Sequence, residues 1–365
     1  METYFLKSED IFKFYEAINK EFDLFVPVKL PSKKIRCEFG AELPSEDYIL
    51  KRYSQVIKKD IVFNEYRPVE PIRTYFTYLK EDVAEFFHDA PEKKNRARPA
   101  ALWGVKNCDL FSLKIQDYVF LGGDEPDPLY KSRRGSTLII ASDCTGFKEV
   151  CFCRAFQIDP HASEGFDINF SPLNNGYLVD AATDKAKAAL DPLKKVFVPA
   201  TLGQLSGRQA KRESVVKRLD EHLALHKIPK KESLREIVMA GYNSPVWNEQ
   251  MRTCVECGGC VFMCDTCHCF LLSDQKQGEL NTKRMRLWDG CLFKNFTKVA
   301  GGGNALRMRN MRLRNRYLKK FDFFIENMGI QGCCGCGRCI DVCPGKIDIR
   351  YILKRLYDEK YIPAG

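Results

Sequence analysis

A chain of 365 residues is long enough for two or three domains with a sizeable core, and its 45% hydrophobic content is ordinary for a globular protein. No run of eighteen apolar residues occurs, which excludes a membrane-spanning helix on hydropathy, and Met1-Glu2-Thr3-Tyr4 lacks the basic-then-apolar profile of a secretory signal. The net charge of +10 admits an acidic protein, nucleic acid or an anionic membrane as partner, but lysine and arginine are scattered for most of the length. What is not ordinary is the 17 cysteines.

Ser8 is placed to cap a helix whose apolar positions Ile11, Phe12, Phe14, Tyr15 and Ile18 fall near one face. Phe25-Val26-Pro27-Val28 reads as a short strand, with the proline marking an edge. Residues 72–87 read as strand then helix, and residues 93–98 as a charged surface turn. From Pro99 the pattern changes to buried strands alternating with helices. Residues 100–105 form the first such strand, followed by Lys106-Asn107-Cys108-Asp109 and a helix to about Tyr118. A second strand at 136–142 ends at Asp143-Cys144, and Cys151-Phe152-Cys153 comes soon after. A strand at 177–180 precedes a helix at 182–190 that Asp191-Pro192 stops. This alternation predicts an α/β layer, whose ligands gather at strand ends. Cys108, Cys144, Cys151 and Cys153 are enough to hold a third [4Fe–4S] cluster or a metal ion; the alternative is four small buried hydrophobes.

Residues 205–235 carry a stripe of Val215, Val216, Leu219, Leu223 and Leu225 on one or two surface helices, with Ile228-Pro229-Lys230-Lys231 as a hinge. The α/β part is expected to span 1–235 and a second domain 236–365. In that second domain, Cys254, Cys257, Cys260 and Cys264 stand in the spacing C-x2-C-x2-C-x3-C, and Cys333, Cys336, Cys339 and Cys343 repeat it before Pro344. This is the bacterial pattern for two [4Fe–4S] clusters, in which the fourth cysteine of each run serves the other cluster. Cys254, Cys257, Cys260 and Cys343 are therefore assigned to one cluster. Cys333, Cys336, Cys339 and Cys264 are assigned to the second, with iron as the metal in both. Structural zinc would use two separated pairs, and disulfides do not suit a chain that reads as cytosolic and reduced.

The runs are split by an insertion, 270–332, expected to be largely helical. Its basic helix carries Arg307, Arg309, Arg312, Arg314, Arg316, Lys319 and Lys320; a solvated face is the preferred reading, against a docking face or charge that stabilises reduced clusters. No nucleic-acid motif accompanies it, and nucleic acid is not an expected partner. Gly301-Gly302-Gly303 is not a dinucleotide fingerprint, because Leu306 stands at the third glycine position. Cys37, Cys267, Cys269, Cys291 and Cys334 receive no ligand role, Cys334 being expected to pack against backbone. His268 is expected to be packed rather than ligating.

These residues give the chain a resemblance. It is similar to the iron–sulfur beta subunits of cytosolic sulfhydrogenases and NAD(P)-linked nickel–iron hydrogenases, and to the corresponding iron–sulfur subunit of anaerobic sulfite reductase. The likeness is carried by Asn107-Cys108-Asp109, Asp117, residues 127–134 with Tyr130 and Arg134, Cys144 and Cys151-Phe152-Cys153. It continues through Thr266-Cys267-His268-Cys269-Phe270, Trp288-Asp289-Gly290-Cys291 and residues 312–321. The resemblance implies a cytoplasmic protein that relays electrons between a flavin- and NAD(P)-binding subunit and a catalytic subunit, with no catalytic residue of its own. Asp265 departs from the family, which has proline there. Two other readings stand beside this one: a redox enzyme subunit with its own substrate site at the Cys108–Cys153 set or the Cys267–Cys291 region, and a basic binding module held by zinc.

Overall fold

Four strands lie parallel side by side at the centre of the molecule: Asp23–Lys29, Ala100–Val105, Leu138–Ser142 and Ile168–Leu173. The computed structural model describes residues 2–30, 33–36, 42–86, 98–277 and 281–361, so Cys37 and the predicted turn at 93–98, except Arg98, lie outside the described residues. Antiparallel strands Gly176–Ala181, Glu2–Lys7 and Val198–Pro199 extend the sheet on one side, and Tyr48–Arg52 closes the other, giving eight strands.

Alternation along the central strands explains the layers, because neighbouring residues of a strand face opposite sides of the sheet. Trp103 and Ile140 join a core with Phe14, Tyr15 and Ile18 of the helix Ile11–Glu21. Leu102 and Ile139 join one with Leu110 and Leu113 of the helix Asn107–Leu121. Helices thus cover both faces, as expected of an α/β layer.

Several local expectations are corrected. Ser8 caps nothing; it lies in a single turn before a helix that starts at Ile11. The strand with Pro27 is not an edge: it pairs on both sides, but the parallel ladder stops at Phe25, so the missing proline N–H costs no bond. Residues 72–87 run in the reverse order, a helical turn Ile72–Tyr75 and then a strand Lys80–Phe86. Leu225 points to solvent on the 25-residue helix Leu202–His226, while Val215, Leu219 and Leu223 are buried. Residues 227–231 simply connect that helix to Leu234–Ala240.

The insertion opens on strands. Phe270–Gln277 and Asn281–Trp288 form a hairpin whose second strand pairs with Lys80–Phe86, tying the early chain to the late chain. Helix follows only at Arg309–Leu318, a widened π-type turn at Lys319–Phe323 and Phe324–Met328. The largest apolar core runs across residue 236. Cys108, Val150 and Phe152 pack in it with Leu219, Trp247, Tyr317, Ile340 and Leu353.

Candidate iron–sulfur site

The two cysteine runs fold into the same loop. In each, the residue before the second cysteine is left-handed, Glu256 at φ 55° and Gly335 at φ 67°. In each, the glycine after it is left-handed too, Gly258 at φ 73° and Gly337 at φ 72°. Short helices follow, Gly259–Phe262 and Arg338–Asp341. Their bonds also correspond: Val261 N–H to Gly258 O and Cys264 N–H to Val261 O in one, Ile340 N–H to Gly337 O and Cys343 N–H to Ile340 O in the other. Successive left-handed residues turn the chain around a centre and aim N–H groups inward. The Glu256 and Ile347 N–H groups reach Cys254 and Cys343 sulfur at 3.4 Å each.

The fourth cysteines cross over. Cys343 faces Cys254 and Cys260, whose thiols are pushed up by burial first and then by Cys343. All three line one pocket with Cys257, walled by Leu313, Tyr317 and Ile347. Cys264, conversely, acts on Cys333, Cys336 and Cys339. Cys339 also reaches the wall of the first pocket, so the two quartets adjoin. Burial pushes Cys260 up to about 11 and Cys333 up to about 12. In the bare polypeptide these are thiols, and metal binding must release their protons.

A tetrahedral zinc site holds its sulfurs about 3.8 Å apart. Among the described residues, the one group of three or more His, Cys, Asp or Glu donors lying within 4.8 Å of one another is Glu149, His222 and His226. No cysteine quartet is among such groups of described residues. All 16 described cysteines are free thiols.

Positive charge surrounds the second quartet. Lys320 Nζ lies 3.4 Å from Cys264 sulfur and donates to the Thr266 hydroxyl and Gly332 carbonyl at 2.8 Å each. The Thr266 hydroxyl is itself 3.2 Å from that sulfur. Arg316 donates to Cys260 O at 2.9 Å and feels Cys260, Cys339 and Cys264, so it sits between the quartets. Arg67 donates to Cys336 O at 2.7 Å, and Arg73 to Cys267 O at 2.6 Å. The solvated reading of the basic helix is thus corrected: Arg312, Arg316 and Lys320 are 1%, 5% and 5% exposed. Their four-residue spacing puts all three on one face, a signal available in the sequence.

Cys334 does more than pack. Its thiol hydrogen-bonds Cys336, which is held down to about 6 first by that bond and then by Arg338 and Arg67. Cys267 does the same for Cys264. Cys291 is buried with Val261 and Leu292 against Cys260 and Cys267. His268 packs edge-on to Phe324 beside the Thr266 carbonyl, and burial pushes it down to about 4. Asp265, where proline was expected, accepts from Arg338 at 2.7 Å and from the Arg73 N–H at 3.0 Å. Arg338 also binds Asp109 at 2.8 Å, so this carboxylate closes a fully buried ion network linking both halves.

The strand-end cysteines also come together. Cys108 and Cys144 follow adjacent parallel strands, at their C-terminal ends. Between them buried Lys106 donates to Ser142 Oγ at 2.7 Å and Asp143 O at 3.1 Å. Cys153 feels both Cys151 and Cys144, and Cys108 feels Cys153 and Cys336. The loop that carries them lies against the second run: Phe152 N–H bonds Gly335 O at 2.8 Å.

Residues 253–347 match the family model of a 4Fe-4S dicluster domain. Over 298 residues, 81% of this chain and 86% of its relative, the sequence is 30% identical to sulfhydrogenase 2 subunit beta of Pyrococcus furiosus. The chain belongs to that family. The likeness expected from the motifs is therefore shown. Because the aligned length far exceeds the dicluster segment, it takes in the α/β layer as well. As a family member the chain carries iron–sulfur chemistry on its late cysteine runs. Among the described residues no helix is long and apolar enough to cross a membrane.

Proposed function

We propose that the chain is the iron–sulfur electron-transfer subunit of a multi-subunit oxidoreductase in the cytoplasm, relaying electrons between a flavin- and NAD(P)-binding subunit and a catalytic subunit. Residues 1–235 and 236–365 would be its two parts, joined through the shared core. The supporting observation is the continuity of thiols from exposed Cys257, through the two crossed quartets, to the Cys108, Cys144, Cys151 and Cys153 set against Gly335. We assign one [4Fe–4S] cluster to Cys254, Cys257, Cys260 and Cys343, a second to Cys333, Cys336, Cys339 and Cys264, and a third to the strand-end set. When bound, such clusters supply one-electron storage. The polypeptide supplies the rest: N–H groups and thiols on sulfur, buried cations between quartets, and apolar walls that exclude water.

One observation favours a second reading, a substrate site of the chain's own. A cleft beside Cys144 is lined by Asp143, Arg208, Lys211, Arg212 and Arg218; Arg208 pairs with Asp180 and Arg212 with Asp143, so an anion there would be met chiefly by Lys211 and Arg218. The variant Cys151→Ser/Cys153→Ser separates the two. The relay reading expects loss of about four irons per chain, with the other clusters still reduced by dithionite and through-transfer to a partner abolished. Unchanged iron with lost turnover would instead favour the substrate site.

A further inference from the structure

We infer that the surface over Cys257 is the electron port of this protein and that it docks a small acidic one-electron carrier protein; the inference rests on the relay reading. Cys257 is exposed, unlike every other described cysteine. The segment around it is one-sided in charge. From Gly290 through Phe321 the sequence has no aspartate or glutamate. Part of its positive charge points inward, since Arg312, Arg316 and Lys320 are buried. Four of the others point out, Lys294, Lys298, Arg307 and Arg309 being exposed, and Arg252 and Lys346 join them from neighbouring loops.

Contacts bring Lys294, Arg307, Arg309, Arg252 and Lys346 toward the thiol. Arg309 donates to Cys254 O at 2.7 Å, and Arg312 forms an ion pair with Glu256 while holding the Leu306 and Arg307 carbonyls at 3.0 and 2.8 Å. Phe293 packs on Gly258, where an added Cβ would come within 2.2 Å of its ring. The Thr253 hydroxyl bonds Gly345 O at 2.8 Å, bringing Arg252 beside Lys346. Glu256 is thus already neutralised, and the outward field is positive.

The rim is not only charged. Val255, Val299 and Met308 are 67%, 64% and 59% exposed. Exposed apolar tips among basic residues suit a protein surface, with the charge steering encounter and the tips fixing contact. A second copy of the chain is disfavoured as occupant by its own charge of +10. An acidic carrier fits. With a cluster held by Cys254, Cys257, Cys260 and Cys343, one electron would pass between it and the carrier's centre, one being oxidised as the other is reduced, with no bond made or broken.

The test uses the intact chain, an acidic [2Fe–2S] ferredoxin as probe and dithionite as a reductant that needs no docking. The rim variant Lys294→Glu/Arg307→Glu is compared with Lys59→Glu/Lys131→Glu, an equal change of charge on exposed residues of the α/β layer. At about 20 mM salt the rim pair is expected to weaken ferredoxin binding, read by fluorescence anisotropy, and to slow cluster bleaching by about tenfold or more; the control pair should change either by less than about twofold. Dithionite should bleach all forms alike. The port is overturned if both variants behave alike, or if duplex DNA displaces the ferredoxin and binds the rim more tightly than it does. Protein with no iron and no sulfide would sink the relay reading itself, a separate failure visible before any binding is measured.

Discussion

Lys320 is the residue whose placement says most about tuning. Its ammonium stands against a cysteine sulfur with two further acceptors, in a buried position, so its charge is little screened. A cation there favours the reduced, more negative centre. Lys320→Met should lower the potential of the second cluster by about 60 mV, the equivalent of about 1.4 kcal/mol for one electron, and leave the first nearly unchanged. Redox titration followed by electron paramagnetic resonance checks this, and an unmoved potential would remove Lys320 from the tuning. His226 gives a second residue-scale outcome. Burial first, then Arg350 and His222, hold it down to about 4, against an opposing pull from Asp348, with Glu149 3.4 Å away. Its folded pKa is below its unfolded value, so the unfolded chain binds the extra proton as pH falls below about 6.5. Stability should therefore drop by about 2 kcal/mol between pH 7 and pH 5 through this group. Urea midpoints of the wild type should fall more over that range than those of His226→Asn; equal slopes would contradict the reading.

At the scale of elements, the loops around the thiols are backbone devices. Gly335 is left-handed, and a Cβ on it would stand 2.6 Å from Cys153 Cα and N. Gly335→Ala should cost about 1–3 kcal/mol and disturb the iron content of both the second and strand-end sets, measurable by thermal melting and iron analysis. Full retention of both would mean the two loops are not coupled. The sequence made the cysteine runs readable because their ligands are contiguous and spaced by cluster chemistry. It did not reveal that Gly335 and Gly337 press on Cys153 and Val150, since that contact joins residues far apart in the chain. Arg312, Arg316 and Lys320 share one face by their spacing, but charge alone does not say that this face is the buried one. The strands Glu2–Lys7 and Ile168–Leu173 went unrecognised because their partners along 176–181 are set by tertiary pairing, which overrides weak local preference. By contrast, strands at 100–105 and near 138–142 were legible, being short apolar runs buried on both faces.

Across the whole molecule, one apolar core and one ion network join the early and late parts of the chain. Arg338 bridges Asp109 and Asp265, and Arg67 reaches Asp341. The α/β layer is thereby fastened to the dicluster segment rather than tethered to it, and its strand-end cysteine loop lies against the second run. The family likeness spans both parts, consistent with their acting together. The most direct measurement is iron and acid-labile sulfide per chain in anaerobically purified protein, with spin quantitation after full reduction. About twelve of each and three interacting paramagnetic centres are expected. A colourless preparation lacking sulfide, or zinc in its place, would contradict the account.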